Sequence, residues 1–259
     1  MEEKKWWIPY IVAGILLLVG TFYDYSITAF LYDPQNVFAI FMQCGVIWLF
    51  IAVVTFVFTM RQRLHKSIFF FLAEIISALY TVIEFMKYFV NIRDHLFLIV
   101  ILGIFLMSFC NMIVYHMSLE RLQRLEKKAV FYVCVLILSS LLVAVLKYFW
   151  GRIRFREMEQ AVQFSAWFLP QGCNGHHSFP SGHTAAISSL LCLFVTMKDC
   201  EEHKVPWYIG VFVFGMIITM AVSRMIMGAH FLSDITGGFL VTYTVFLCSR
   251  HYFYQKRYI

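Results

Sequence analysis

Apolar runs of about 20 residues recur along the whole of this chain, the length a helix needs to cross a hydrocarbon core of about 30 Å. The runs are too long and too uniformly apolar for a transmembrane barrel, whose strands show short alternating segments. Composition agrees. Of 259 residues, 61% are hydrophobic and 14% charged, against roughly a quarter charged in soluble domains. The pattern predicts an all-α, polytopic transmembrane bundle of about eight helices (six to eight). They are expected near 7–31, 37–60, 67–90, 95–116, 129–150, 182–197, 205–226 and 230–249. No stretch is long or polar enough for a separate soluble domain, and there is no internal repeat. The start, "MEEKKWWIPYIVAGILLLVG", is basic like a signal peptide. Its apolar run is long, however, and no small-residue cleavage site follows, so a retained first helix is expected.

Basic residues orient the bundle. With the N-terminus inside, the inner segments "EEKK", "RQRLHK", "LERLQRLEKK", "KDCEEHK" and the tail carry 14 of the 21 Lys and Arg. The positive-inside rule then puts both termini in the cytoplasm of a multi-pass cell-membrane protein. Of the remaining seven, Lys147, Arg152, Arg154, Arg156 and Arg224 crowd into two outer segments. Positive charge there needs a reason.

Three polar segments supply one. "KYFWGRIRF" (147–155) ends the fifth helix, "PSGHT" (180–184) opens the sixth, and "SRMIMGAHFLSD" (223–234) spans the turn from the seventh to the eighth. In the eight-helix arrangement all three fall on the outer face. Lys147, Arg154 and Arg224 are cationic donors, and guanidinium forks suit the paired oxygens of a phosphate. Ser181 has the character of an N-cap, and Gly182 lets the backbone come close to a ligand. His183 sits in the first turn of the sixth helix. His230 and Asp234 are four apart, so on a helix the carboxylate can hold one ring nitrogen while the other attacks. A cationic cradle, an oriented nucleophile and a second histidine as acid make a phosphate-ester hydrolase.

These segments resemble the signature of the type 2 phosphatidic acid phosphatase superfamily: Lys, six residues, Arg-Pro; then Pro-Ser-Gly-His; then Ser-Arg, five residues, His, three residues, Asp. Lys147 and Arg154 keep the first spacing, "PSGH" is complete, and Ser223, Arg224, His230 and Asp234 match the third. Phe155 stands where the family usually has Pro, a residue that shapes backbone rather than doing chemistry. The resemblance implies that His230 attacks phosphorus, forms a phosphohistidine and is oriented by Asp234. It implies that His183 protonates the leaving oxygen and then activates water. Lys147, Arg154, Ser181, Gly182 and Arg224 would bind the phosphoryl oxygens. Neither metal nor cofactor is implied. The motifs span 147–234, so residues 129–259 are expected to form the phosphatase core, with 1–128 as helices outside the match.

The expected substrate is a lipid phosphate whose tails stay in the bilayer: undecaprenyl diphosphate, phosphatidylglycerol phosphate, phosphatidic acid or a lipid A phosphate. No nucleic-acid partner is expected. A lipid phosphotransferase using the same chemistry is the alternative, and a transporter or flippase a more distant one. The outer loop 151–180, with Phe164, Trp167 and Phe168, is expected at the interface, helping to choose the lipid.

The other polar residues have plainer readings. Arg152 and Arg156 are expected to snorkel to the interface, and His176 and His177 to be loop histidines. Cys173, His176, His177, His183, His230 and Asp234 are nominal metal ligands, but their spacing fits no zinc signature. Only Cys173 of the seven cysteines falls in an outer loop, Cys200 being in an inner one, so no disulfide framework is expected. In the third helix Glu84 and Lys87 can neutralise each other. Glu74 has no such neighbour and is the best sequence argument for transport. Asp24 is expected near the outer boundary with no special role.

Overall fold

The computed structural model describes residues 6–87, 90–196 and 206–255, and every regular element among them is helical. Each of the eight expected helices is present, with three informative departures. Helix α1 (Ile8–Leu31) carries Pro9 in its first turn, where a missing N–H costs nothing. The expected second helix is in pieces. Asn36 caps a short α2 (Val37–Phe41), and a π-helical turn, Met42–Val46, leads into α3 (Ile47–His65). Then follow α4 (Ile68–Met86), begun by the cap Ser67, and α5 (Leu96–Tyr115).

Helix α6 (Leu119–Trp150) starts ten residues before the expected position. The charged "LERLQRLEKK" is a good helix former, and the Ser118 hydroxyl accepts from Arg121 N–H at 3.3 Å to open it. The expected sixth helix is broken into α7 (Gly182–Ser188), a 3₁₀ turn (Ser189–Cys192) and α8 (Leu193–Thr196). Ser188 and Ser189 donate back to the carbonyls of Thr184 and Ala186 at 2.7 Å, and such bonds bend helices. Helices α9 (Trp207–Ile226) and α10 (Leu232–Gln255) complete the chain. Among the described residues six helices are long and apolar enough to cross a membrane. The protein is an all-α polytopic bundle. The stretch with Cys200, residues 2–5 and the last residues of the basic tail lie outside the described residues.

The chain divides into two compact units, residues 44–133 and residues 1–43 with 134–259. In the first, α3, α4 and α5 pack together. Glu74 is 1% exposed there and its Oε1 accepts from Thr59 Oγ1 at 2.9 Å and Asn111 Nδ2 at 2.6 Å. Glu84 pairs with Lys87 on the same helix.

The second unit holds all three motifs and also α1. The cause is legible in α1 itself. Its buried residues, Ala13, Gly20, Asp24 and Thr28, line one face and are small or polar. A Cβ on Gly20 would meet Asp24 Oδ1 at 2.8 Å and Ser233 Cβ at 3.0 Å, so glycine lets α1 close on the start of α10.

Candidate active site

Three local devices bring the motifs to one end of this unit. Gly151, at φ +59°, ends α6 in the left-handed conformation that only glycine adopts freely. The chain then turns over the bundle end, where Ser178 N–H donates to Arg152 O at 2.8 Å. Ser181 caps α7, its hydroxyl accepting from Thr184 N–H at 3.3 Å, while its own N–H donates to Asp234 O at 2.8 Å. Gly237 and Gly238 of α10 make room for this turn. A Cβ on the first would strike the Phe179 ring, and one on the second the Ser181 carbonyl.

The expected site residues come together. Lys147 Nζ donates to His177 O at 3.1 Å, and a Cβ on Gly182 would lie 3.9 Å from that ammonium. Lys147, Arg154, Arg224 and His230 all act electrostatically on His183. Arg154 Nη1 reaches Glu157 Oε1 at 2.9 Å, and Arg224 Nη1 reaches Gln43 Oε1 at 2.8 Å. His230, 2% exposed, lies in the turn between α9 and α10 with Nδ1 3.7 Å from Asp234 Oδ2. That is ion-pair reach, longer than a good hydrogen bond. Nε2 is therefore the nitrogen that faces away from Asp234.

Among the described residues, the buried side-chain polar atoms without a hydrogen-bond partner include His183 Nε2, His230 Nδ1 and Arg154 Nε. His230 Nδ1 faces Asp234, but buried polar atoms are almost always satisfied, so the orphans on His183 and Arg154 point to a polar guest. Burial, reinforced by Lys147 and Arg224 and opposed by Asp234, pushes the His230 imidazole down to about 3. The ring is thus neutral and nucleophilic at neutral pH. Among the described residues no group of His, Cys, Asp or Glu is arranged to hold a metal.

The structure corrects two expectations. Arg152 does not snorkel; it is 0% exposed. Its Nη1 donates to Asp234 Oδ1 at 2.6 Å and Ser233 Oγ at 2.8 Å, and its Nη2 to Asp24 Oδ2 at 2.9 Å. Nor is Asp24 idle at a boundary. It is 1% exposed and is the second carboxylate of this guanidinium. Both charges point into the protein because two buried carboxylates and two rings, Phe231 and Phe164, surround Arg152.

The loop 151–180 is anchored by its aromatic residues. Phe164 packs on Tyr25 and Phe231, and Trp167 donates to Thr21 Oγ1 at 3.0 Å, so both hold the loop onto α1. Phe168 is exposed. His176 and His177 keep loop roles. The first sits 3.6 Å from Glu157, and the second lends its carbonyl to Lys147. Phe155, at the usual proline position, packs against Tyr25 and Tyr32.

A family model described as the PAP2 superfamily matches residues 128–258, half of the chain. The chain belongs to the PAP2 superfamily. The match ends the helical count as the deciding feature: this is a phosphatase, and its apolar helices make it a membrane one. No curated protein and no solved structure matches the chain. The PAP2 match begins inside α6, so α1 with Asp24 lies outside it.

Proposed function

We propose that this PAP2 protein hydrolyses the phosphate or diphosphate ester of a membrane lipid at the extracytoplasmic face, through a phosphohistidine and without a metal. The observation that carries it is the neutral, buried His230 beside Asp234, with orphaned polar atoms on His183 and Arg154 around it. His230 Nε2 gives its lone pair to phosphorus and the bond from phosphorus to the lipid oxygen breaks. His183 delivers a proton to that oxygen. The ring then holds its proton on Nδ1, facing the Asp234 carboxylate. In the second half His183 takes a proton from water, the water oxygen bonds to phosphorus, and the N–P bond breaks to return His230. Lys147, Arg154 and Arg224 neutralise charge gathering on the phosphoryl oxygens, with Ser181 and Gly182 lining the approach.

The lipid class follows from a polar site at the end of apolar helices, where a headgroup enters while its tails remain in lipid. The face follows from the distribution of Lys and Arg. Phosphate release from purified protein with chelator present, for a panel of lipid phosphates, tests this. Release that persists in chelator and disappears in His230→Ala supports the reading. Release lost to chelator, or retained in His230→Ala, refutes it.

A further inference from the structure

The most heavily buried ion pairs among the described residues join Asp24, Arg152 and Asp234, none of which is assigned above to hold phosphate. Arg152 lies between Asp24 and Asp234, with all three side chains out of contact with solvent. Its Nε donates to Ser165 O at 2.9 Å, and Cζ stands 4.3 Å from the Phe231 ring. Asp24 in turn accepts from Ser233 N–H at 2.9 Å and from the Ser233 hydroxyl. Asp234 Oδ2 accepts from Ser178 Oγ at 2.6 Å and Phe231 N–H at 2.8 Å. Every carboxylate oxygen is committed, so the assembly has one geometry.

Counting charge shows what Asp24 adds. Arg152 with Asp234 alone is neutral and gives an imidazolium no counter-ion. With Asp24 ionised the assembly carries one net negative charge, set against the cations Lys147, Arg154 and Arg224 that act on His183. A buried group bearing four partners is expensive unless it is satisfied throughout, and here the expense falls directly behind His230.

We propose that Asp24 and Arg152 are positioning residues for His230: Arg152 fixes the Asp234 carboxylate behind the imidazole, and Asp24 restores the negative charge that Arg152 cancels. The inference rests on His230 being the nucleophile. It makes α1, outside the region matched by the family model, a working part of the active site. Phosphoryl transfer puts a proton-bearing, cationic ring 3.7 Å from Asp234, and the net negative assembly stabilises it more than the Arg152–Asp234 pair alone.

The test uses the whole protein in detergent with p-nitrophenyl phosphate as probe. Active sites are counted by the amplitude of the phosphoenzyme burst. Asp24→Asn keeps the shape and removes the charge. Its kcat per active site is expected to fall on the order of 10- to 100-fold with KM within about twofold, as for other mispositioned catalytic groups. A merely structural role lowers the number of active sites and leaves kcat per site unchanged, which overturns the proposal. Arg152→Lys, which cannot reach four partners from one ammonium, is expected to lose at least as much. Should Asp24→Asn fail to fold, Ser233→Ala decides, because it loosens Asp24 and Arg152 while keeping both charges; unchanged kcat in that variant also overturns the proposal. His230→Ala separates the two levels. If it remains active, the parent reading fails and this one with it. If it is inert while Asp24→Asn turns over normally, only this inference fails. An inert wild type ends both.

Discussion

Gly238 offers a perturbation whose effect can be worked from packing alone. Glycine inside a helix normally weakens it, so Gly→Ala in α10 should stabilise by about 1 kcal/mol. Here the added Cβ would overlap the Ser181 carbonyl oxygen and sit 3.2 Å from Ser181 C and 3.3 Å from Ala185 N. All three atoms are backbone, so no rotamer change relieves them. Overpacking of this kind costs about 1–3 kcal/mol, which exceeds the propensity gain. The turn carrying Ser181 and His183 must therefore retreat from α10, and a displacement of about 1 Å at a catalytic group can cost on the order of 10²-fold in rate. Gly238→Ala is expected to lose about that much kcat/KM for lipid phosphate release, with a melting temperature near or slightly below wild type. Gly215→Ala is the control, since nothing lies within 4 Å of a Cβ at that position in α9, and it should keep full activity. Wild-type kcat/KM in Gly238→Ala would show that the His183 turn is not held against α10 and would refute the reasoning.

Further outcomes follow from the same geometry. His183→Ala should slow phosphoenzyme formation from a lipid phosphate by about 10²–10⁴-fold but slow the p-nitrophenolate burst far less, because nitrophenolate leaves without a proton; equal losses in that first step would remove His183 as the acid. His230 is held at about 3 by burial, with Lys147 and Arg224 adding to it, against 6.5 when unfolded. The unfolded chain therefore takes up its proton first, so this stability is complete above about pH 6.5 and drains as the pH falls toward 3. Melting temperatures in detergent from pH 7 to 4 should fall less steeply in His230→Asn than in wild type, and parallel slopes would contradict the assignment. Glu74→Gln, in the unit formed by residues 44–133, should leave kcat/KM of phosphate release unchanged within about twofold. A large loss would tie that unit to the chemistry.

The helices were readable because lipid imposes one rule on every span: about 20 apolar residues with the backbone bonded internally. Their interruptions were not, because hydropathy does not register the π turn after α2 or the side-chain to backbone bonds at the Ser188 and Ser189 break. That Lys147, Arg154, Ser181, His183, Arg224, His230 and Asp234 lie together was readable from the spacing of their three motifs. Their support was missed for physical reasons. The run "GRIRFR" spaces its arginines by two in a loop without helical phase, so nothing marks Arg152 as the one turned inward. Asp24 did leave a trace: a carboxylate on an apolar helix, in line with Gly20 and Thr28, is a costly feature that calls for a partner. That partner is 128 residues away in sequence, beyond the reach of any local pattern. Gly237 and Gly238 likewise are explained only by the turn that packs onto them.

The central claim is that His230 carries the phosphoryl group. The direct measurement is a rapid acid-free quench of wild-type protein turning over a ³²P-labelled lipid phosphate, followed by mapping of the labelled peptide. The account predicts an acid-labile, base-stable phosphoryl group on His230, formed and consumed at rates consistent with turnover and absent in His230→Ala. Turnover with no phosphoenzyme, or with the label on any other residue, would contradict it.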